Sequence, residues 1–305
     1  MSLPTLRWTR LAVVPLAALA LCAAPLAQAQ QPNIRVAAKA FTEQRLLATL
    51  TQVYLQHLGY SVDVTWGLST ALTRPAQLNN EIDLVWEYTG TSLIVYNHVE
   101  EVLDAEASYQ RVSELDGEKG LTWLAPTSFN NTYAIAMPEE IAQRDGDIRT
   151  MSQMAEWMAA HPDQFHLFAM DYDFAGRADG LPGMAERYGY RFSRSELRSM
   201  DPGLVYLALR NQQAYGGIVY TTDGRIDAFD LRVLEDDKNY FPAYNAAPIV
   251  RSDYLKAHPE LREQMDRLSA LLDEETMRGL NARVDIEQQS TNSVARDFLS
   301  SHGLI

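Results

Sequence analysis

Cysteine is almost absent: the 305-residue chain has one, Cys22. A disulfide scaffold needs pairs and a thiolate metal cluster needs several, so both are excluded. Basic side chains are also scarce, 26 Lys and Arg against 40 Asp and Glu, for a formal charge of −14. A nucleic-acid binder needs a basic face to meet phosphate, and this balance argues against one. Metal-ligand spacing is missing too, because His57, His98, His161, His166, His258 and His302 are scattered and form no HExxH. There is no GxSxG elbow to mark a serine nucleophile. Hydrophobic residues nevertheless make up 47%, enough for a sizeable core, which excludes a disordered chain.

Only one long apolar run occurs, at residues 11–21. Arg7 and Arg10 precede it and the small-residue pattern Ala27-Gln28-Ala29 follows, which together read as a secretory signal peptide over 1–29. A spanning helix needs roughly 20 apolar residues, more than prolines and glutamines leave here. A lipoprotein signal at Cys22 fits poorly, since Leu19-Ala20-Leu21 sets leucine where such signals carry a small residue. Cleavage after Ala29 leaves 276 of the 305 residues, without cysteine, and two arginines fewer take the charge from −14 to −16. The expected product is exported, soluble and suited to an oxidising periplasm.

Residues 34–38 are a short apolar run read as a strand. Leu46, Leu47, Leu50, Val53, Tyr54 and His57 follow at helical spacing, giving an amphipathic helix that Thr42 is placed to cap. Residues 61–66 alternate as a second strand, 76–80 close a second helix, and 82–86 read as a third strand. That order means a parallel, doubly wound sheet, which binds ligands at the carboxyl ends of its strands. Lys39 and residues 87–91 are therefore expected to face a common crevice. A similar series begins near 132–136 and takes in helices at 151–160 and 182–188 and strands at 165–170 and 216–220. Helices dominate after 248, at 261–272, 274–280 and 294–299. The pattern is that of two interleaved α/β lobes.

Of the 15 tyrosines, Tyr54, Tyr188 and Tyr206 sit on helical patterns and read as packing. Tyr88, Tyr133, Tyr220 and Tyr244 instead fall in irregular or strand-terminal contexts in both lobes, which points to a shared site. Each has a plainer reading as a packed ring with a bonded hydroxyl.

Six segments carry a family resemblance: Lys39-Ala40-Phe41-Thr42-Glu43-Gln44, Glu87-Tyr88-Thr89-Gly90-Thr91, Asn130-Asn131-Thr132-Tyr133, Phe174-Ala175-Gly176-Arg177, Tyr220-Thr221-Thr222-Asp223-Gly224 and Leu234-Glu235-Asp236-Asp237-Lys238. In this order they resemble the substrate-binding proteins of osmoprotectant ABC transporters, which bind glycine betaine, choline, carnitine or related quaternary amines. The resemblance implies a two-lobed type II periplasmic-binding-protein fold, each lobe a doubly wound sheet with flanking helices, joined by two crossing hinge segments. Lobe I would hold 30–130 and 243–305, and lobe II 131–242. It further implies an aromatic cage of Tyr88, Tyr133, Tyr220 and Tyr244, a carboxylate clamp of Lys39, Thr91 and Arg177, and a polar contact from Asn131. The implied partner is a membrane permease, with no cofactor, no metal and a monomeric receptor. One departure is Gly67-Leu68-Ser69-Thr70, which stands where many relatives have a glycine-rich turn.

The physical chemistry is independent of that resemblance. A quaternary ammonium has no N–H to donate, so what remains to recognise is its diffuse charge, which aromatic faces attract by ~0.5–2 kcal/mol per ring. Arg177 can grip a carboxylate through two parallel N–H bonds, Lys39 adds a point charge and Thr91 a hydroxyl. Plainer readings stand beside these. Lys39 is then a solvated strand-end lysine, Arg177 pairs with Asp173 along a helix, Thr91 is a helix cap and Asn131 a turn residue. Trp86 and Glu87 read as structural, and Gly224 as a backbone requirement. Two other functions remain open: an exported hydrolase, and a binding protein of the same fold for an amino acid or small amine.

Overall fold

Short aliphatic runs build the strands and longer amphipathic stretches the helices that cover them. The computed structural model describes every residue from Pro32 to Ile305 except Glu100, Val102 and Ala178. The signal peptide read at 1–29 lies outside the described residues. The first sheet takes β1 (Asn33–Ala38), β2 (Ser61–Trp66), β3 (Leu84–Tyr88) and β4 (Leu121–Trp123). The second takes β5 (Tyr133–Pro138), β6 (Phe168–Asp171), β7 (Leu197–Met200), β8 (Gly216–Tyr220) and β9 (Leu231–Val233). The chain then returns, and β10 (Ala246–Arg251) enters the first sheet.

The strand orders are β2-β1-β3-β10-β4 and β7-β6-β8-β5-β9. In the first, β1 pairs parallel with β2 and β3, as the strand–helix alternation requires. The sequence reading does not anticipate β10, which runs antiparallel between β3 and β4. In the second sheet β5 likewise runs antiparallel to β8. Parallel strands end where an antiparallel neighbour begins, and that single fact assembles the tyrosines. Tyr133, at the start of β5, stands opposite Tyr220, at the end of β8. Tyr88, at the end of β3, stands opposite Ala246, so Tyr244 comes in just before it.

Helix Thr42–His57 buries Leu46, Leu47, Leu50, Val53 and Tyr54 on one stripe, packing against the closing helix Thr291–Ser301 with its Val294, Ala295, Phe298 and Leu299. Its N-cap is Phe41, without a side-chain cap, and Thr42 instead donates to Asp285 Oδ1 at 2.7 Å. That corrects the capping role expected of Thr42. Thr150 does cap helix Met151–Ala160, reciprocally with Gln153. Gly224 is also corrected: its φ is −66°, open to any residue, and what it permits is the approach of Ala282, whose Cβ would lie 2.7 Å from an added methyl.

Two segments link the sheets. They run antiparallel through the Asn130–Asn245 bridge, with Asn131 N–H donating to Tyr244 O (3.1 Å) and Tyr244 N–H to Asn130 Oδ1 (2.7 Å). Among the described residues no helix is long and apolar enough to cross a membrane. Leu50 is fully buried at the centre of the first helix's stripe. Leu50→Ala should therefore cost about 2–5 kcal/mol of unfolding free energy in urea melts, whereas exposed Leu72→Ala should stay within about 0.5 kcal/mol.

Candidate functional site

A cavity of about 320 Å³, counting its mouth, lies where the strand ends of the two sheets meet. Lys39 reaches it from the end of β1 and Tyr88 and Thr91 from the end of β3. Arg177 follows the short helix Tyr172–Gly176 after β6, while Tyr133, Tyr220, Asn131 and Tyr244 come from β5, β8 and the two linking segments. All eight residues named from sequence thus share one cavity, and Phe41, Thr70 and Asp173 complete its lining.

The rings form a continuous wall. Phe41 stacks on Tyr220 with centroids 4.9 Å apart and faces Tyr88 at 6.2 Å. Tyr133 meets Tyr220 at 5.4 Å and stands edge-on to Tyr244 at 5.7 Å. Phe174 and Phe241 back Tyr133 from outside the cavity. Gly90 is what lets Tyr244 in, because a Cβ there would lie 2.7 Å from its Cε1 and 2.9 Å from Ala243 O.

The plainer readings of the polar residues fail on burial and partners. Lys39 is 4% exposed, so it is no solvated lysine, and its Nζ donates to Glu87 Oε1 at 2.6 Å. Burial pulls its pKa down, opposed by the Glu87 charge. Arg177 does not pair with Asp173. It grips Asp179 with Nε (2.7 Å) and Nη2 (2.5 Å), and donates from Nη1 to Thr91 Oγ1 at 3.2 Å. Burial works against the Asp179 carboxylate, but Arg177 outweighs it and holds Asp179 below the usual range. Thr91 caps nothing and Asn131 donates from Nδ2 to Glu43 Oε1 at 2.7 Å. The local basic patch that Lys39 and Arg177 suggest is therefore neutralised by protein carboxylates.

Three acidic residues escaped the sequence reading. Glu87, read as structural, accepts from Lys39, its own neighbour's Tyr88 N–H (2.9 Å) and Tyr96 (3.0 Å). Asp179 ties Arg177 to the Tyr244 hydroxyl. Glu43 accepts from Tyr88, Asn131, Thr222 and Asn281, linking both sheets. A signal for Glu43 existed: it sits at i−3, i−4 and i−7 to Leu46, Leu47 and Leu50, a charge on an otherwise apolar stripe. Further bonds join the two sides of the cavity, from Thr70 N–H and Oγ1 to Asp173 at 3.3 and 3.0 Å. Among the described residues no group of three or more His, Cys, Asp or Glu is arranged to hold a metal.

Two α/β lobes joined by paired crossings, with an aromatic and charged cavity where their strand ends meet, define a bilobal solute-binding protein. Residues 32–301 match the family model for the substrate-binding domain of the ABC-type glycine betaine transport system, and the chain belongs to that family. Its role is accordingly that of a binding component of ABC transport, not of an enzyme. A glycine-betaine-binding protein of Pseudomonas aeruginosa is 55% identical over 294 residues, 95% of this chain and 94% of that one. The glycine betaine-binding protein YehZ of Escherichia coli is 30% identical over 310 residues, 99% of each. A solved glycine betaine/carnitine/choline ABC transporter chain is similar in fold, with a TM-score of 0.70 at 27% identity over 89% of this chain and 99% of that one.

Gly90→Ala should push the Tyr244 ring aside and destabilise the protein by about 1–3 kcal/mol, read from denaturant midpoints. Gly117→Ala, with nothing within 4 Å of the new methyl, is the control and should not destabilise. Equal midpoints for the two variants would remove Gly90 as the reason Tyr244 reaches the cavity.

Proposed function

We propose that this chain is the periplasmic receptor that captures glycine betaine and delivers it, as a monomer, to the membrane permease of an ABC importer. The observation that carries the reading is the convergence of five aromatic rings, Phe41, Tyr88, Tyr133, Tyr220 and Tyr244, with Lys39 and Arg177 on one cavity. The trimethylammonium group sits among the rings. Four of them supply roughly 2–8 kcal/mol before ordering and desolvation costs, so micromolar binding, about −8 kcal/mol, also needs the carboxylate end. Arg177 Nη1 and Thr91 are the natural partners there, because Nε and Nη2 are held by Asp179. Lys39, paired with Glu87, lines the same cavity. Export through a cleaved peptide at 1–29 fits the same role.

Asp173 favours a second ligand: a carboxylate in the wall suits a cation that lacks a carboxylate of its own, such as choline. Glycine betaine ranks first because Arg177 Nη1 and Thr91 stand in the wall as donors suited to a ligand carboxylate, which choline lacks. A primary amine, as in an amino acid, would compete on the same titration.

Isothermal titration should show saturable glycine betaine binding, weakened at least tenfold, about 1.4 kcal/mol, by Tyr88→Ala or Tyr244→Ala. Folded protein that binds no betaine, choline or carnitine overturns the reading. Tighter binding of lysine or another primary amine would move the ligand class.

Contacts between the sheets, such as Thr70 with Asp173 and Arg177 with Thr91, support a closing motion of 30–130 and 243–305 against 131–242 about segments near 129–132 and 239–244. Small-angle scattering should give a smaller radius of gyration at saturating ligand than without it. Identical profiles would count against closure.

A further inference from the structure

Three of the four cage tyrosines donate their hydroxyls to carboxylates. Tyr88 bonds Glu43 Oε1 at 2.7 Å, Tyr220 bonds Asp171 Oδ2 at 3.2 Å and Tyr244 bonds Asp179 Oδ2 at 2.5 Å. All three carboxylates are buried and none lines the cavity, so a ligand there touches none of them. They differ in compensation. Asp179 is gripped by Arg177, which cancels its charge. Burial raises the pKa of Glu43, and against that rise Tyr88, Asn131, Thr222 and Asn281, all neutral, donate two bonds to each oxygen, an arrangement that favours the ionised form. Burial raises the pKa of Asp171 as well, opposed by its bonds from Tyr220 and from the Phe174 N–H that it caps.

A phenol bonded to an ionised carboxylate is polarised: negative charge gathers on its oxygen and ring, and its face attracts a cation more strongly. We propose that Glu43 and Asp171 determine the specificity of the cage for a quaternary ammonium over an uncharged group of the same shape, by acting through Tyr88 and Tyr220 from behind. The proposal rests on the reading of this cavity as a quaternary-ammonium site. Both residues are positioning groups, and their charge is the component to be isolated. Removing the charge while keeping a hydrogen-bonded contact in the same place reduces affinity for the cation and spares affinity for the neutral shape. A purely structural role would weaken both alike.

The test compares glycine betaine with 3,3-dimethylbutanoate, which puts carbon in place of the ammonium nitrogen and keeps the carboxylate. Glu43→Gln retains an oxygen to accept from Tyr88. Its new N–H can donate to Thr222 Oγ1, a hydroxyl able to turn from donor to acceptor, while Asn281 Nδ2 keeps its bond to Thr222 O. Asp171→Asn keeps the cap on Phe174 with its amide oxygen, and its amide N–H then donates to the Tyr220 oxygen, so that contact is kept with its direction reversed. Dissociation constants are measured on the exported chain, by direct titration for the first ligand and displacement for the second, with circular dichroism to check the fold. In each variant the preference for the cation should fall roughly tenfold, the scale of one charge acting across a side chain at an effective dielectric near 20. An unchanged preference in a folded variant, or equal losses for both ligands, overturns the inference. Should one variant fail to fold, the other decides by the same ratio. Wild-type protein that binds no quaternary ammonium overturns the functional reading and this inference with it. Binding with an unchanged ratio overturns this inference alone.

Discussion

Lys39 and Arg177 are two cations held out of water beside the same cavity, and a buried charge is tolerated only when it is compensated. Glu87 compensates the first from the end of β3, and Asp179 the second from just beyond the short helix Tyr172–Gly176 that follows β6. Those pairings fix the ends of the strands. Glu87 also accepts from the Tyr88 backbone and from Tyr96, whose ring lies under Arg74, itself paired with Asp116. Asp179 meanwhile holds the Tyr244 hydroxyl. Charge compensation and ring placement are thus one construction.

Burial explains why the rings stay useful. Burial, and a neighbouring carboxylate in each case (Glu43, Asp171 and Asp179 in turn), raises the hydroxyl pKa of Tyr88, Tyr220 and Tyr244 well above the ordinary value, so the rings remain neutral phenols across physiological pH. A neutral phenol can point its hydroxyl at a carboxylate and its face at a ligand. The rings are stiff as well, packed on Phe41, Phe174 and Phe241, which lowers the ordering cost of binding.

Much of this architecture was legible in the chain. Helical spacing from Leu46 to His57 and the run at 216–220 matched the observed helix and strand closely, because burial of one stripe or one face writes a period into the sequence. Lys39, Thr91 and the four tyrosines could be picked out because strand ends in doubly wound sheets gather at one crevice, Arg177 and Asn131 were implied only by the family resemblance, and the structure brings all eight together. Partners were less visible. Arg177 looked poised for Asp173 at helical spacing, but the short helix ends at Gly176 and Arg177 has extended backbone, so its guanidinium turns to Asp179.

Sequence alone determined the periodic elements, the composition of the first 29 residues, the acidic balance and the unusual strand-end tyrosines, since each is a local property of residue type and spacing. Only the tertiary structure decided that β10 enters antiparallel beside β3, that Phe41 joins the wall, and that Glu43, Glu87 and Asp179 stand behind the cavity. The reason is separation along the chain. Glu43 meets Thr222 and Asn281, and Gly90 meets Tyr244, across distances in sequence that no local pattern records and that folding alone closes.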